Sequence, residues 1–270
     1  MTLNIHTTNT NNFSLYSTPP PTEEGFGHYL AGLIDGDGHF SLNGLVIVFS
    51  APDLFLAEYL KVKLNAGNIY KIKEKKAYNL VIGRKADLEL IINLINGKLR
   101  KQSKLDQINK NIKNKYVTPL DIPDKLILNL KDDLNNHWLS GFADADGSFQ
   151  IKIVTREKRT EIRLKFQIDQ KERILLDLIK NKFEGYLGYR EAQDTYYYGT
   201  TSFKSAKEVI DYFDEYNLLS AKHLSYLEWK KAYALIEKKL HLTESGIQEI
   251  IQLKNNMNSR RENNVQIGSM

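Results

Sequence analysis

Apolar and polar positions change period several times along the chain, and the order of changes occurs twice. Residues 27–35 place apolar side chains at helical spacing, and 38–50 alternate as strands do. The spacing then predicts a helix over 53–65, strands over 68–74 and 77–83 rich in Tyr and β-branched residues, and helices over 86–96 and 103–113. The second series predicts a helix over 136–144, strands over 147–153 and 161–169, and a helix over 171–184. Strands over 186–191 and 195–201 and helices over 204–216 and 219–238 complete it. A last helix is expected from about Thr243, an N-cap with Gln248 nearby, to Asn258. Between the series, Thr118-Pro119 and Ile122-Pro123-Asp124 break helices, so Lys115 to Asn135 reads as a linker.

The residues repeat as well as the periods. His28-Tyr-Leu-Ala-Gly-Leu-Ile-Asp-Gly-Asp-Gly-His-Phe40 and His137-Trp-Leu-Ser-Gly-Phe-Ala-Asp-Ala-Asp-Gly-Ser-Phe149 share His, Leu, Gly, Asp, Asp, Gly and Phe at an offset of 109. Later matches, such as Tyr70 with Tyr189 and Lys85 with Lys204, fall at 119. The second copy has therefore gained ten residues, near Thr155 to Thr160, as a longer hairpin tip. Two diverged copies imply a monomer of two similar halves about a pseudo-two-fold axis.

Composition narrows the chemistry. The 270 residues contain no Cys, which excludes disulfides, Fe–S clusters and thiolate zinc sites. Six scattered His form no metal-ligand pair on one helix, and no apolar run approaches a membrane span. Residues 1–24 are rich in Thr and Asn, lack the cations of a targeting peptide, and read as an irregular leader. Residues 1–60 hold no Lys or Arg and six of the 33 acids, so 61–270 carry 38 basic against 27 acidic residues, a net of +11. A basic body points to a polyanion, most commonly nucleic acid.

Gly32 and Gly141 sit in helix interiors, where Gly is unfavourable by ~1 kcal/mol relative to Ala. With Ala31 and Ser140 beside them, they suggest two helices whose backbones nearly touch. Gly38 and Gly147 suit a left-handed position past a helix end. Asp35, Asp37, Asp144 and Asp146 face the negative end of a helix dipole, and packing the two helices together adds repulsion. One such copy reads as a turn; two in register read as carboxylates awaiting a hard divalent cation. An EF-hand is excluded, because neither copy has the opening Asp or closing Glu of that loop.

Leu30-Ala-Gly-Leu-Ile-Asp-Gly-Asp-Gly38 and Leu139-Ser-Gly-Phe-Ala-Asp-Ala-Asp-Gly147 resemble the LAGLIDADG motif of homing endonucleases and intron maturases, and their pairing resembles the single-chain, two-motif branch. The resemblance implies an α+β fold of two αββαββα halves, 25–114 and 136–258, with a leader over 1–24, a linker over 115–135 and a tail over 259–270. Each half would carry a four-stranded antiparallel sheet, and together they would form a saddle over DNA. Asp37 and Asp146 would bind Mg²⁺, with Mn²⁺ as a substitute and Ca²⁺ supporting binding without cleavage. The carbonyls of Gly36 and Ala145 would assist, leaving Asp35 and Asp144 as structural groups. Metals on both sides of a phosphate stabilise the attacking and leaving oxygens, so paired sites would give a staggered double-strand break.

The same resemblance gives Gln170 a place near the attacking water and Lys101 and Lys222 places near the scissile phosphates. At offset 119 the first half has Ala51 where the second has Gln170, so the two sites are not equivalent. DNA contacts are expected on the sheets. In the first half they are Asn43, Tyr70, Lys71, Lys73, Lys75, Lys76, Asn79 and Arg84. In the second half they are Gln150, Lys152, Arg156, Lys158, Arg159, Arg163, Lys165, Gln167, Tyr189, Arg190, Tyr196 and Tyr198. The run Tyr196-Tyr-Tyr198 fits core, DNA contact, or both by alternation. Expected partners are a long asymmetric DNA duplex and, as the alternative maturase function, intron RNA; no membrane is involved. A mitochondrion or other organelle is the implied location.

Overall fold

A computed structural model describes residues 21–157, 159–200 and 202–266, without the side chains of Arg156, Arg159 and 259–266. Most of the expected leader, the DNA contacts assigned to Arg156, Lys158 and Arg159, and the side chains of the tail thus lie outside the described residues.

The first half runs α1 (Glu23–Asp37), β1 (Gly38–Ser41), β2 (Gly44–Ser50), α2 (Leu54–Leu64), β3 (Asn68–Lys71), β4 (Ala77–Ile82), α3 (Lys85–Ile95) and α4 (Gln102–Gln107). The second runs α5 (Trp138–Asp146), β5 (Gly147–Arg156), β6 (Arg159–Gln170), α6 (Ile174–Phe183), β7 (Tyr186–Arg190), β8 (Thr195–Gly199), α7 (Phe203–Glu215), α8 (Lys222–Glu237) and α9 (Glu244–Gln266). Each half holds one antiparallel sheet, ordered β1-β2-β4-β3 and β5-β6-β8-β7. Among the described residues no helix is long and apolar enough to cross a membrane.

Boundaries differ from expectation for local reasons. α1 begins four residues early, because the Thr22 hydroxyl accepts from Gly25 N (3.2 Å) and caps it. The alternating stretch 38–50 breaks into a hairpin at Leu42-Asn43. After α4 the chain continues as a π-helical turn, Ile108–Lys113. The end of α4 and that segment together cover the sheet edge: Phe40 N donates to Gln107 Oε1 (3.0 Å), and Asn111 Nδ2 donates to Phe40 O (2.7 Å). α9 runs past the expected end at Asn258 to Gln266. Gly38 and Gly147 are extended rather than left-handed, with φ of −79° and −78°. Their need for Gly is proximity: a Cβ on Gly38 would stand 2.6 Å from Ile34 Cα.

The cores differ in kind. Leu45, Ile47, Leu80, Ile82, Ile91 and Ile92 fill the first half, all fully buried. In the second, Phe149 packs on Phe166 (centroids 5.1 Å apart) and Trp229 (5.5 Å). Between them α1 and α5 meet nearly backbone to backbone. A Cβ on Gly32 would fall 1.8 Å from Trp138 O, and one on Gly141 1.9 Å from Tyr29 O. The linker is strapped over this junction by Arg100, whose guanidinium donates to Lys131 O (2.7 Å) and Asp133 O (2.6 Å) and lies over the Trp138 ring (5.1 Å).

Candidate active site and nucleic-acid interface

The four motif acids separate into two kinds. Asp35 is fully buried and accepts from Arg100 N (2.7 Å), Lys101 N (3.2 Å) and Trp138 Nε1 (2.9 Å) of the other half. Asp144, also buried, accepts from Leu219 N (2.7 Å), Ser220 N (3.1 Å), Ser220 Oγ (2.5 Å) and Tyr29 OH (2.7 Å). Each anchors the loop between the two helices that follow its own sheet, α3–α4 or α7–α8, and takes one aromatic donor across the junction. Trp138 and Tyr29 occupy equivalent places in the repeat, so the lock is reciprocal. Burial pushes both carboxyls up to about 6, against the pull of their donors.

Asp37 and Asp146 end the two helices and are half-buried. Their proximity is set by the small residues before them: a Cβ on Gly36 would meet Ala145 Cβ at 2.2 Å and Asp146 Oδ2 at 3.1 Å. Asp146 Oδ2 accepts from Gln170 Nε2 (2.6 Å), whose Oε1 accepts from Lys101 Nζ (2.6 Å). Asp37 accepts no hydrogen bond from the described residues. Desolvation and then the Asp146 charge push its carboxyl up to about 6; desolvation also raises Asp146, with Gln170 and the lysines opposing. Lys222 Nζ donates to Ala145 O (2.6 Å) and Ala143 O (3.2 Å), so an ammonium rests on one carbonyl assigned to metal.

The structure therefore brings Asp37, Asp146, Gln170, Lys101 and Lys222 to one junction. Two neighbours went unnoticed in the sequence. Lys104, buried, donates to Gly38 O (2.6 Å), and its pKa is lowered by desolvation. Its signal is the i, i+3 spacing from Lys101, the residue that precedes α4. Asp53 Oδ1 accepts from Ala221 N (2.9 Å) and so caps the start of α8 from the other half. The partner of Gln170 is also corrected. Gly38 pairs with Ile47 and Gly147 with Ile168, so two residues on, Phe49 matches Gln170. Ala51 falls beyond the strand; the first site has a buried phenyl ring instead of an amide.

Strand alternation sorts the expected DNA contacts. On the sheet faces away from the helices lie Tyr70 and Asn79 in the first half, and Gln150, Lys152, Arg163, Lys165, Gln167 and Arg190 in the second. Asn43 is at the β1–β2 tip, and Lys73 and Lys75 are exposed in the β3–β4 turn. Tyr198 is fully buried in ladder register with Ile168, and is core rather than a DNA contact. Tyr196 shares that side and packs on Tyr189 (4.7 Å), whose hydroxyl donates to Asp194 (2.7 Å); both are on the helix side. Lys71, opposite Tyr78, also points to that side at the strand end. Arg84 lies beyond β4 and forks onto Asp87 (2.8 Å twice). Tyr197 and Tyr186, not selected from sequence, are on the open face with Lys165 Nζ 5.4 Å over each ring.

Known proteins resemble this chain in sequence and in fold. A family model described as LAGLIDADG endonuclease matches residues 139–233. An uncharacterized cox1 intron-2 37.2 kDa protein of Schizosaccharomyces pombe is 52% identical over 233 residues, covering 86% of this chain and 72% of that one. The intron-encoded DNA endonuclease aI3 of Saccharomyces cerevisiae is 29% identical over 268 residues, covering 78% of this chain and 63% of that one. Among solved structures, I-SmaMI bound to an uncleaved DNA target in the presence of calcium ions superposes with a TM-score of 0.67. It is 23% identical, over 86% of this chain and 98% of that one, which is a likeness of fold. With two motif helices abutting through glycine and ending in a pair of carboxylates, the chain belongs to the LAGLIDADG endonuclease family.

Proposed function

We propose that the chain is a site-specific homing endonuclease. It makes a staggered double-strand break in a long asymmetric DNA duplex by divalent-metal-dependent phosphodiester hydrolysis, and it acts as a monomer. The observation that carries this reading is the placement of Asp37 and Asp146 side by side, each immediately before the first strand of its own sheet. Intron encoding and an organellar location belong to the proposal, resting on the cox1-intron and intron-encoded names of its relatives.

The residues present fit a hard cation. Asp37 is a half-buried carboxylate without a hydrogen-bond partner among the described residues, with a raised pKa that a divalent charge would reverse. Among the described residues no cluster of three or more His, Cys, Asp or Glu could hold a metal, so carbonyl, water and phosphate oxygens must complete its shell. When bound, such a cation supplies positive charge to the scissile phosphate and acidifies a water. Mg²⁺ is the ion proposed.

The chain's own part is holding and orienting. Gln170 Nε2 fixes the Asp146 carboxylate, and Lys101 Nζ fixes Gln170. Lys222 and Lys104 place further positive charge on backbone oxygens of the two motif ends, Ala145 O and Gly38 O. Because Phe49 stands opposite Gln170 in the repeat, only one site has this amide. Gln170→Ala should therefore slow the cut of one strand about tenfold to a hundredfold more than the other and let nicked duplex accumulate. Equal slowing of both strands would remove Gln170 from its role.

Selection of cleaved sites from a randomised duplex library in Mg²⁺ tests the reading; no recovered cleavage site would overturn it. Tight binding of intron RNA with no duplex cleavage would move the function to a splicing cofactor.

A pH dependence follows from the carboxylates. The Asp37 pKa is raised from the ordinary value to about 6, so its protonated form competes with a cation from mildly acidic pH downwards. Asp146 is raised as well. The Ca²⁺ concentration that half-saturates the protein–DNA complex should rise about tenfold or more per pH unit below about 6, and change little above 7.5. A titration that is flat from pH 5 to 8 would show that these carboxylates are not the ligands.

A further inference from the structure

The lysines of the two halves are anchored by different routes. In the first half, Lys101 N donates directly to the buried Asp35 (3.2 Å), so that lysine stands inside the reciprocal lock. In the second half, Asp144 holds Leu219 N and Ser220 N, and Lys222 comes two residues later, at the start of α8. The first turn of a helix leaves N–H groups without helical acceptors. Lys222 N, His223 N and Leu224 N turn to Ser220 Oγ (3.1 Å), Ser220 O (3.0 Å) and Ala221 O (3.2 Å), all within the second half. Ala221 N instead crosses the junction to Asp53 Oδ1 (2.9 Å).

Asp53 is held for that reach. It closes the 3-10 turn Ala51–Asp53 just before α2, and its other oxygen accepts from Ser50 Oγ (2.6 Å), which fixes the plane of the carboxylate. A carboxylate at a helix N-terminus is also favoured by the helix dipole. The N–H it holds belongs to the residue before Lys222, whose Nζ lies on Ala145 O (2.6 Å) and Ala143 O (3.2 Å), next to Asp146 in the chain. The opposite half has no such strut among the described residues. Arg173 stands before α6 as Asp53 stands before α2, and it pairs with Asp177 of its own helix (3.0 Å).

We propose, resting on the endonuclease reading above, that Asp53 is a positioning residue for Lys222. Through one hydrogen bond the first half places the lysine of the second, and only the cut served by Lys222 depends on it. Lys101, anchored by Asp35, is independent of Asp53.

The test is single-turnover cleavage in Mg²⁺ of a duplex selected from the library, with each strand labelled separately, alongside duplex affinity in Ca²⁺. Lys222→Ala identifies the strand that this lysine serves. Asp53→Ala should slow the same strand about tenfold, leave the other within about twofold and leave affinity unchanged. Asp53→Asn, whose amide oxygen still accepts from Ala221 N, should restore the rate to within about threefold. In the Lys222→Ala background, Asp53→Ala should add less than about twofold, because no ammonium remains to be placed. Ala221→Pro removes the donor instead of the acceptor, at a φ of −57° that suits proline. It should show the same one-strand loss, and it supplies the measurement should Asp53→Ala not fold. Equal slowing of both strands, an Asn variant as slow as the Ala variant, additive losses in the double variant, or wild-type cutting by Ala221→Pro overturns this inference and leaves the endonuclease reading standing. A wild-type protein that cuts no duplex overturns both.

Discussion

Asp37→Asn and Asp146→Asn are each expected to leave a folded protein that binds its duplex and no longer breaks both strands, with the rate falling about a hundredfold to a thousandfold or more. The argument is geometric first. The two carboxylates end helices that touch, each is half-buried, and among the described residues only Asp146 has a protein partner that fixes it. Neither takes part in the reciprocal lock made by Asp35 and Asp144, so the fold does not depend on them. Stability should move the other way from activity. The folded Asp37 pKa is raised to about 6, so between its ordinary value and about 6 the folded state binds more protons than the unfolded one. Stability therefore falls as pH rises through that window and stays lower above it. Asn removes the disfavoured charge, and the melting temperature at pH 7.5 should rise. Variants that still cut at the wild-type rate would defeat the assignment, and variants that melt earlier would make these carboxylates structural. Clean nicking by one single variant would show that the two sites act independently.

Much of this was legible in the sequence, for a physical reason. The repeat imposes identical local demands twice, so glycine pairs, acid pairs and element order reinforce each other. What the sequence concealed was register. Tyr196, Tyr197 and Tyr198 alternate across a strand, and nothing in the run itself states which parity faces the helices. The ladder settles it, with Tyr198 against Ile168 in the core and Tyr197 on the open face. The same blindness substituted Ala51 for Phe49 as the counterpart of Gln170, because a gap placed in a turn shifts the alignment of a strand by two. Gly38 and Gly147 are extended because proximity, not dihedral, requires glycine there, a distinction the sequence does not carry. Asp53 acts across the halves on Ala221, a contact between residues 168 positions apart that no local pattern encodes.

The junction between halves allows a prediction whose sign is the test. Gly→Ala inside a helix ordinarily adds about 1 kcal/mol of stability. At Gly32 and Gly141 the expected change is a loss of about 3 kcal/mol or more, by urea denaturation. The added methyl carbons would lie 1.8 Å from Trp138 O and 1.9 Å from Tyr29 O, with helix backbone on the far side rather than a side chain able to swing away. α1 and α5 can accept them only by separating, which stretches the Trp138–Asp35 and Tyr29–Asp144 hydrogen bonds together. Those acids are buried, and a buried carboxylate left short of a donor costs about 1–3 kcal/mol more. Separation would also move Asp37 away from Asp146, so cleavage should fall in the same variants. A variant at either glycine that is as stable as the wild type would mean that the two motif helices do not meet backbone to backbone, and the shared site at their ends would lose its geometric basis.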